Sequence, residues 1–202
     1  MRRASLAVLA VLVGIACTTP TTEYDIVILN GRVMDAETEM DAVRNVGITD
    51  GKIATITEGE ISGAETIDVT GLVVAPGFID THHHGAGNLW GVKASLRDGV
   101  TTPMDLELGT INVDAWYAQR EGQWPVNYGA AASHEFHRMK VLDQMPLEDP
   151  ADGNDFARLR NASYEENDIP DWAVTPASID QLNEMLGNID QDLAAGALGI
   201  AS

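Results

Sequence analysis

The stretch Ala75-Pro76-Gly77-Phe78-Ile79-Asp80-Thr81-His82-His83-His84 decides how the rest of the chain is read. An apolar run, opened by Leu72-Val73-Val74, leads straight into three consecutive histidines. Side chains alternate along a strand, so His82 and His84 project to one side and His83 to the other. Two imidazoles side by side at a strand end suit a divalent metal ion, which takes neutral nitrogen ligands at about 2 Å. All five histidines fall between positions 82 and 137, a clustering that a scattered surface distribution does not favour. A histidine tract on an exposed loop is the alternative, and the pair by itself does not decide between them.

Upstream, residues 23–75 read as short strands separated by turns. Asp25–Leu29 is β-branched and apolar, and Asn30-Gly31 after it predicts a hairpin turn before Arg32-Val33-Met34. Val46-Gly47-Ile48 and Lys52–Ile56 flank a second turn at Asp50-Gly51, and Ile67-Asp68-Val69 and Leu72-Val73-Val74 read as a third pair about Gly71. Turns at this spacing indicate a small antiparallel sheet or sandwich with no ligand cluster of its own.

Downstream the period changes. Asn88–Asp98 suits a helix ended by Gly99, and Val100–Gly109 suits a strand in which Asp105 and Glu107 share a face. Asn127–His134 reads as a third strand of this half, rich in small residues. Residues 143–175 read as a long polar loop with a short helix around Phe156–Asn161. Ser178 and Gln181 form a capping box before Ile179, Leu182, Leu186, Ile189 and Leu193, a helical core stripe that stops at Gly196. Ala197–Ser202 begins another strand. His137 fits no motif and is expected to be exposed.

The first residues are an address. Arg2 and Arg3 precede an apolar run from Ala4 to Ala16, the pattern of a secretory signal peptide over residues 1–16. Gly14-Ile15-Ala16-Cys17 resembles the box before the lipidated cysteine of bacterial lipoproteins, with Gly14 where Leu is usual. Residues 17–22 read as a polar linker. A secreted or periplasmic protein is expected, tied to the bacterial envelope by a lipid on Cys17 where that box is used.

With 202 residues, 45% of them hydrophobic, the chain can bury a core. A formal charge of −19 argues against nucleic acid and anionic membrane surfaces as partners. One cysteine excludes an internal disulfide framework and a zinc site built from several thiolates.

Gly71–His84, preceded by Tyr24–Asp35 and Gly47–Ile56, resembles the start of the metal-dependent amidohydrolase superfamily. Gly99-Val100-Thr101-Thr102 before a strand, and Ala195–Ile200 near the end, are most similar to the N-acyl-D-amino-acid deacylase (D-aminoacylase) branch. The resemblance implies an α/β fold: a small N-terminal β domain over residues 23–75 and the first half of a (β/α)8 barrel over residues 76–202. It makes His82 and His84 ligands of zinc, as one or two divalent ions. Many members place a metal-binding Cys near the end of the second barrel strand; here Leu108 stands there, and Glu107 is the candidate ligand in its stead, with Asp105 the alternative. His134 and Arg138 match the His-x-x-x-Arg after the third strand, with Ser133 where Gly is usual, and are expected to contact a small-molecule amide substrate or to play a packing role.

A full barrel needs about 250 residues, so the resemblance places further histidines and the general-base aspartate beyond Ser202, and the 202 residues are expected to be an N-terminal piece. The function expected is hydrolysis of amide C–N bonds by the full-length protein. The alternatives are a dihydroorotase- or isoaspartyl-dipeptidase-like hydrolase, and a non-catalytic or vestigial envelope protein.

Overall fold

The computed structural model describes residues 23–147 and 149–202. The leader, the linker and Cys17 lie outside the described residues. The chain divides into two compact units between Pro76 and Gly77.

The first unit is a sheet of five strands: β1 (Tyr24–Asp35), β2 (Met40–Thr49), β3 (Lys52–Thr57), β4 (Gly63–Asp68) and β5 (Val73–Val74). They run in the order β3-β2-β1-β4, with β5 also on β1. Val27, Val33 and Val46 are its buried apolar side chains among the described residues. Two expectations need correcting. Asn30-Gly31 is not a hairpin turn but a bulge inside one continuous strand. Ile28 pairs with Val46 and Gly31 with Arg44, so β1 advances one residue more than β2, and Asn30 absorbs the extra residue at φ 63°. Gly31 is needed there because a Cβ would fall 2.5 Å from a methyl of Val74 and 2.8 Å from one of Val69.

The third pair is not a hairpin either. β4 and β5 both run parallel to β1, Ile67 beside Ile28 and Val74 beside Val33. Gly71, at φ 81°, shifts the chain along β1 without folding it back, so the sheet is mixed and not antiparallel. Asp50-Gly51 does form the expected tight turn between β2 and β3, with φ of 51° and 71°.

The second unit is a parallel sheet with helices in its crossovers. Its strands are β6 (Phe78–Asp80), β7 (Val100–Thr110), β8 (Gly129–Ser133) and β9 (Ile200–Ala201), neighbours in chain order. Sequential parallel strands joined through helices build one side of a (β/α)8 barrel, the fold class expected. Between β6 and β7 lies α1 (Leu89–Arg97), capped by the Asn88 side chain, which accepts from the Gly91 N–H at 2.7 Å. Helices α2 (Val113–Ala118), α3 (His134–Leu142), α4 (Phe156–Asn167), α5 (Asp171–Val174) and α6 (Ile179–Ala194) follow. The capping box at Ser178 and Gln181 opens α6 as expected.

The core of this unit gathers Ile111, Phe136, Met139, Met145, Leu147, Ala151, Leu159 and Trp172. His137, expected to be exposed, is buried on the inner face of α3. Its Nε2 donates to the Asp192 carboxylate of α6 at 2.9 Å, which satisfies one of the two ring nitrogens and offsets part of the cost of burial.

Candidate metal centre

The centre forms where the ends of β6 and β7 lie side by side. Backbone bonds continue past β6, with the His83 N–H donating to the Met104 carbonyl at 3.0 Å, and His82 bridges to Asp105. The alternation along this segment divides the histidines. His83 turns to α1, where its Nε2 lies 2.6 Å from the Ser95 hydroxyl. His82 and His84 turn the other way, their Nε2 atoms 3.2 Å apart.

Glu107 reaches them because β7 bulges. Between Asp105 and Thr110 the strand takes five steps against two on β8, with Gly109 at φ 76°. The bulge separates two carboxylates that strict alternation would keep on one face. Asp105 is buried, whereas Glu107 stands at the rim with about half its side chain exposed (52%). The Glu107 Oε2 lies 3.3 Å from His84 Nε2 and 3.7 Å from His82 Nε2. All three donor atoms fall within 4.8 Å of one another.

These separations test whether the residues fit a metal. Ligands held at about 2.0–2.1 Å on the corners of a tetrahedron are about 3.3 Å apart. The two imidazole nitrogens and the carboxylate oxygen nearly trace one such face, and all three can offer a lone pair to its centre. The donor set therefore fits a divalent ion of the zinc type.

Asp105 acts behind this face. Its Oδ1 accepts the backbone N–H groups of Leu108 (3.2 Å) and Gly109 (2.9 Å), and its Oδ2 lies 3.3 Å from His84 Nδ1. A carboxylate can only accept, so Nδ1 of His84 carries the proton and Nε2 is left free, the carboxylate–histidine pairing that orients metal ligands.

Three proteins or structures place the chain. No family model matches it. An uncharacterized protein of Mycobacterium tuberculosis is 28% identical over 204 residues, covering 90% of this chain and 33% of its own length. The chain thus spans about a third of that relative. A dihydroorotase of Streptococcus pneumoniae is 55% identical over 60 residues, 29% of this chain and 14% of its own. Among solved structures, an N-acyl-D-glutamate deacylase from Bordetella bronchiseptica, complexed with zinc and a phosphonate inhibitor, superposes with a TM-score of 0.64 at 20% identity, over 88% of this chain and 38% of that one. The chain shares the fold of the corresponding part of that deacylase.

On this fold, the other expected site residues lie at the end of β8. His134 opens α3, its Nδ1 3.4 Å from the Ser202 hydroxyl. Burial first, then the charges of Arg138 and His137, pull its pKa below the ordinary value. Beside it, burial holds the Glu135 carboxyl above its usual range, and the negative Glu107 adds to this. Arg138 spends its Nε and one Nη on the backbone carbonyls of Trp172 (2.6 Å) and Thr175 (2.8 Å), so it ties down the α5 segment. It still lines, with His134, Glu135, Trp172 and Ser202, a depression at the strand ends. His82 and Glu107 line a separate opening with Thr81, Leu106, Ile200 and Ser202.

Sequence reasoning missed the supports. Asp105 was legible only as an alternative ligand. Gly153, which packs on the His84–Asp105 pair, and the buried Trp116, Arg120 and Asp152 that hold its loop carry no pattern that points to the histidines.

Proposed function

We propose that the protein to which this chain belongs is a metal-dependent hydrolase of amide C–N bonds, most like the N-acyl-D-amino-acid deacylases, and that this chain contributes the first ligands of its metal. The convergence of His82 Nε2, His84 Nε2 and Glu107 Oε2 carries the reading. Zinc, as one or two ions, is the proposed cofactor; one supporting neighbour is a D-aminoacylase whose binuclear metal centre shows one-metal activation and second-metal attenuation. A bound divalent ion lowers the pKa of water and polarises a carbonyl, the two demands of amide hydrolysis.

The residues of the chain do the rest of what can be assigned. His82, His84 and Glu107 hold the ion, and Asp105 keeps the His84 proton on Nδ1. His134, in its low-pKa neutral form, and the remaining guanidinium donors of Arg138 stand at the end of β8, where they face a substrate carboxylate or its amide. The strong local likeness to a dihydroorotase favours, as a second reading, a cyclic-amide substrate on the same centre. The basic and apolar start with Cys17 supports export, with a lipid anchor in the envelope.

The test is metal content and turnover of the full-length protein with N-acyl-D-amino acids and with dihydroorotate as rival substrates. His82→Ala combined with His84→Ala should strip the metal and abolish hydrolysis of either. Undiminished zinc stoichiometry in the purified double variant would refute the assignment.

A further inference from the structure

The His84–Asp105 pair is covered on one side by backbone. A Cβ on Gly153 would sit 2.8 Å from Asp105 Oδ2 and 2.9 Å from both Cβ and Nδ1 of His84. The peptide chain at 153 therefore lies directly on the bond that sets the His84 tautomer, and no side chain fits between them. Gly153 is not in the left-handed region, so its small size and not its backbone angle is what the position demands.

What holds this loop is out of proportion to a surface connection. Asp152, buried, accepts from Arg120 Nη2 (2.9 Å) and Trp116 Nε1 (3.0 Å) on Oδ2, and from the Asn154 backbone and side chain (3.0 and 2.9 Å) on Oδ1. The Arg120 guanidinium also donates to the Trp116 carbonyl at 2.7 Å and stacks 3.8 Å over its ring. On the other flank the Asn154 Oδ1 accepts from Asn88, the cap of α1, at 2.8 Å. Ahead of it, the Ala151 carbonyl takes the Thr110 hydroxyl at 2.7 Å and the Ile111 N–H at 3.2 Å. The loop is thus pinned to β7, to α2 and to the segment that follows His84, all within one unit.

We propose that Ala151–Asn154, anchored by the buried Arg120–Asp152 pair, is a backbone clamp that positions His84 for metal through Gly153. Arg120, Trp116, Asp152 and Gly153 are then positioning residues, none of which touches the ion. The clamp rests on the metal reading above. By covering one side of the His84–Asp105 bond with backbone, it holds the ring in place and keeps Nε2 aimed at His82 and Glu107.

The experiment is a zinc titration against a competing chelator, with the visible spectrum of the cobalt form and a thermal melt on the same samples. Gly153→Ala adds one methyl where backbone geometry permits it. It should weaken zinc by about tenfold or more and shift the cobalt bands, with the cooperative melt retained. A folded Gly153→Ala that binds zinc within about twofold of wild type, with an unchanged cobalt spectrum, overturns the clamp. Should that variant fail to fold, Trp116→Phe decides, because it removes one of the two side-chain donors to Asp152 Oδ2. Several-fold weaker zinc supports the clamp and unchanged zinc refutes it. Measured in the full-length protein, zinc uptake that is equal in wild type and Gly153→Ala removes the clamp alone; a wild type that takes up none removes the centre and the clamp with it.

Discussion

Asp105→Asn is the most incisive change available at the centre, because it alters one atom and no volume. The carboxylate serves three donors: Leu108 N–H and Gly109 N–H on Oδ1, and His84 Nδ1–H on Oδ2. An asparagine keeps only one oxygen. The two backbone donors cannot turn away without undoing the β7 bulge, so they claim it, and the amide nitrogen faces His84. Two donors then meet at Nδ1. The imidazole escapes by moving its proton to Nε2, the atom that lies 3.2 Å from His82 Nε2 and 3.3 Å from Glu107. A protonated Nε2 is no ligand. The lost bond to a charged acceptor is worth about 1.5–3 kcal/mol, which at about 1.4 kcal/mol per decade is roughly a ten- to hundredfold loss of zinc affinity. Chelator competition at fixed pH measures it, with a melt to show that the variant is folded. Zinc binding within about twofold of wild type in a folded Asp105→Asn protein would refute the tautomer argument, and with it the reason for placing Asp105 behind the metal.

Other outcomes follow from the same geometry. His83→Ala should leave zinc affinity nearly unchanged, since His83 points to Ser95 on α1; a loss as large as that of His84→Ala would show that the alternation is misassigned. Phe136→Ala, in the middle of the core of the second unit, should cost about 3–5 kcal/mol in denaturant unfolding; a loss below about 1 kcal/mol would mean that this core is not packed as described. The His134 pKa is lowered in the fold from 6.5, so the unfolded chain takes up its proton first as pH falls. Stability contributed by neutral His134 is complete above that value and is lost below it, and His134→Gln should flatten the fall in unfolding free energy between about pH 7 and 5. An unaltered pH slope in that variant would count against the shift.

The parts of this chain that were legible are those whose reasons are local. His82 and His84 are two positions apart on an extended segment, and their common side follows from the pleat alone. The caps of α1 and α6 are equally local, each set by a polar side chain three residues from the N–H it accepts. The short helices α2 and α5, of 6 and 4 residues, lack the repeats that reveal a helix. His137 has no local sign of its partner, since Asp192 lies on another helix and meets it only through tertiary packing.

Both bulges show why alternation alone misleads. At Asn30 an Asn-Gly pair has the chemistry of a two-residue turn, yet a residue that tolerates positive φ serves a bulge as well as a turn, and the close approach of Val69 and Val74 at Gly31 decides for the bulge. At residues 106–109 the alternation puts Asp105 and Glu107 on one face, as rival candidates for one task. The extra residues give them two tasks instead. Asp105 drops into the interior, where backbone N–H groups hold its charge, and Glu107 rises to the rim beside the histidine nitrogens. A strand of strict period two would have offered the metal two neighbouring carboxylates, whose mutual repulsion and excess negative charge would favour an oxygen-rich site for a harder cation. One carboxylate with two imidazoles suits zinc, and the carboxylate withdrawn from the metal is the one that keeps His84 ready to bind it. On the proposed zinc reading, the fit of the donor set therefore rests as much on the irregularity of β7 as on the two histidines.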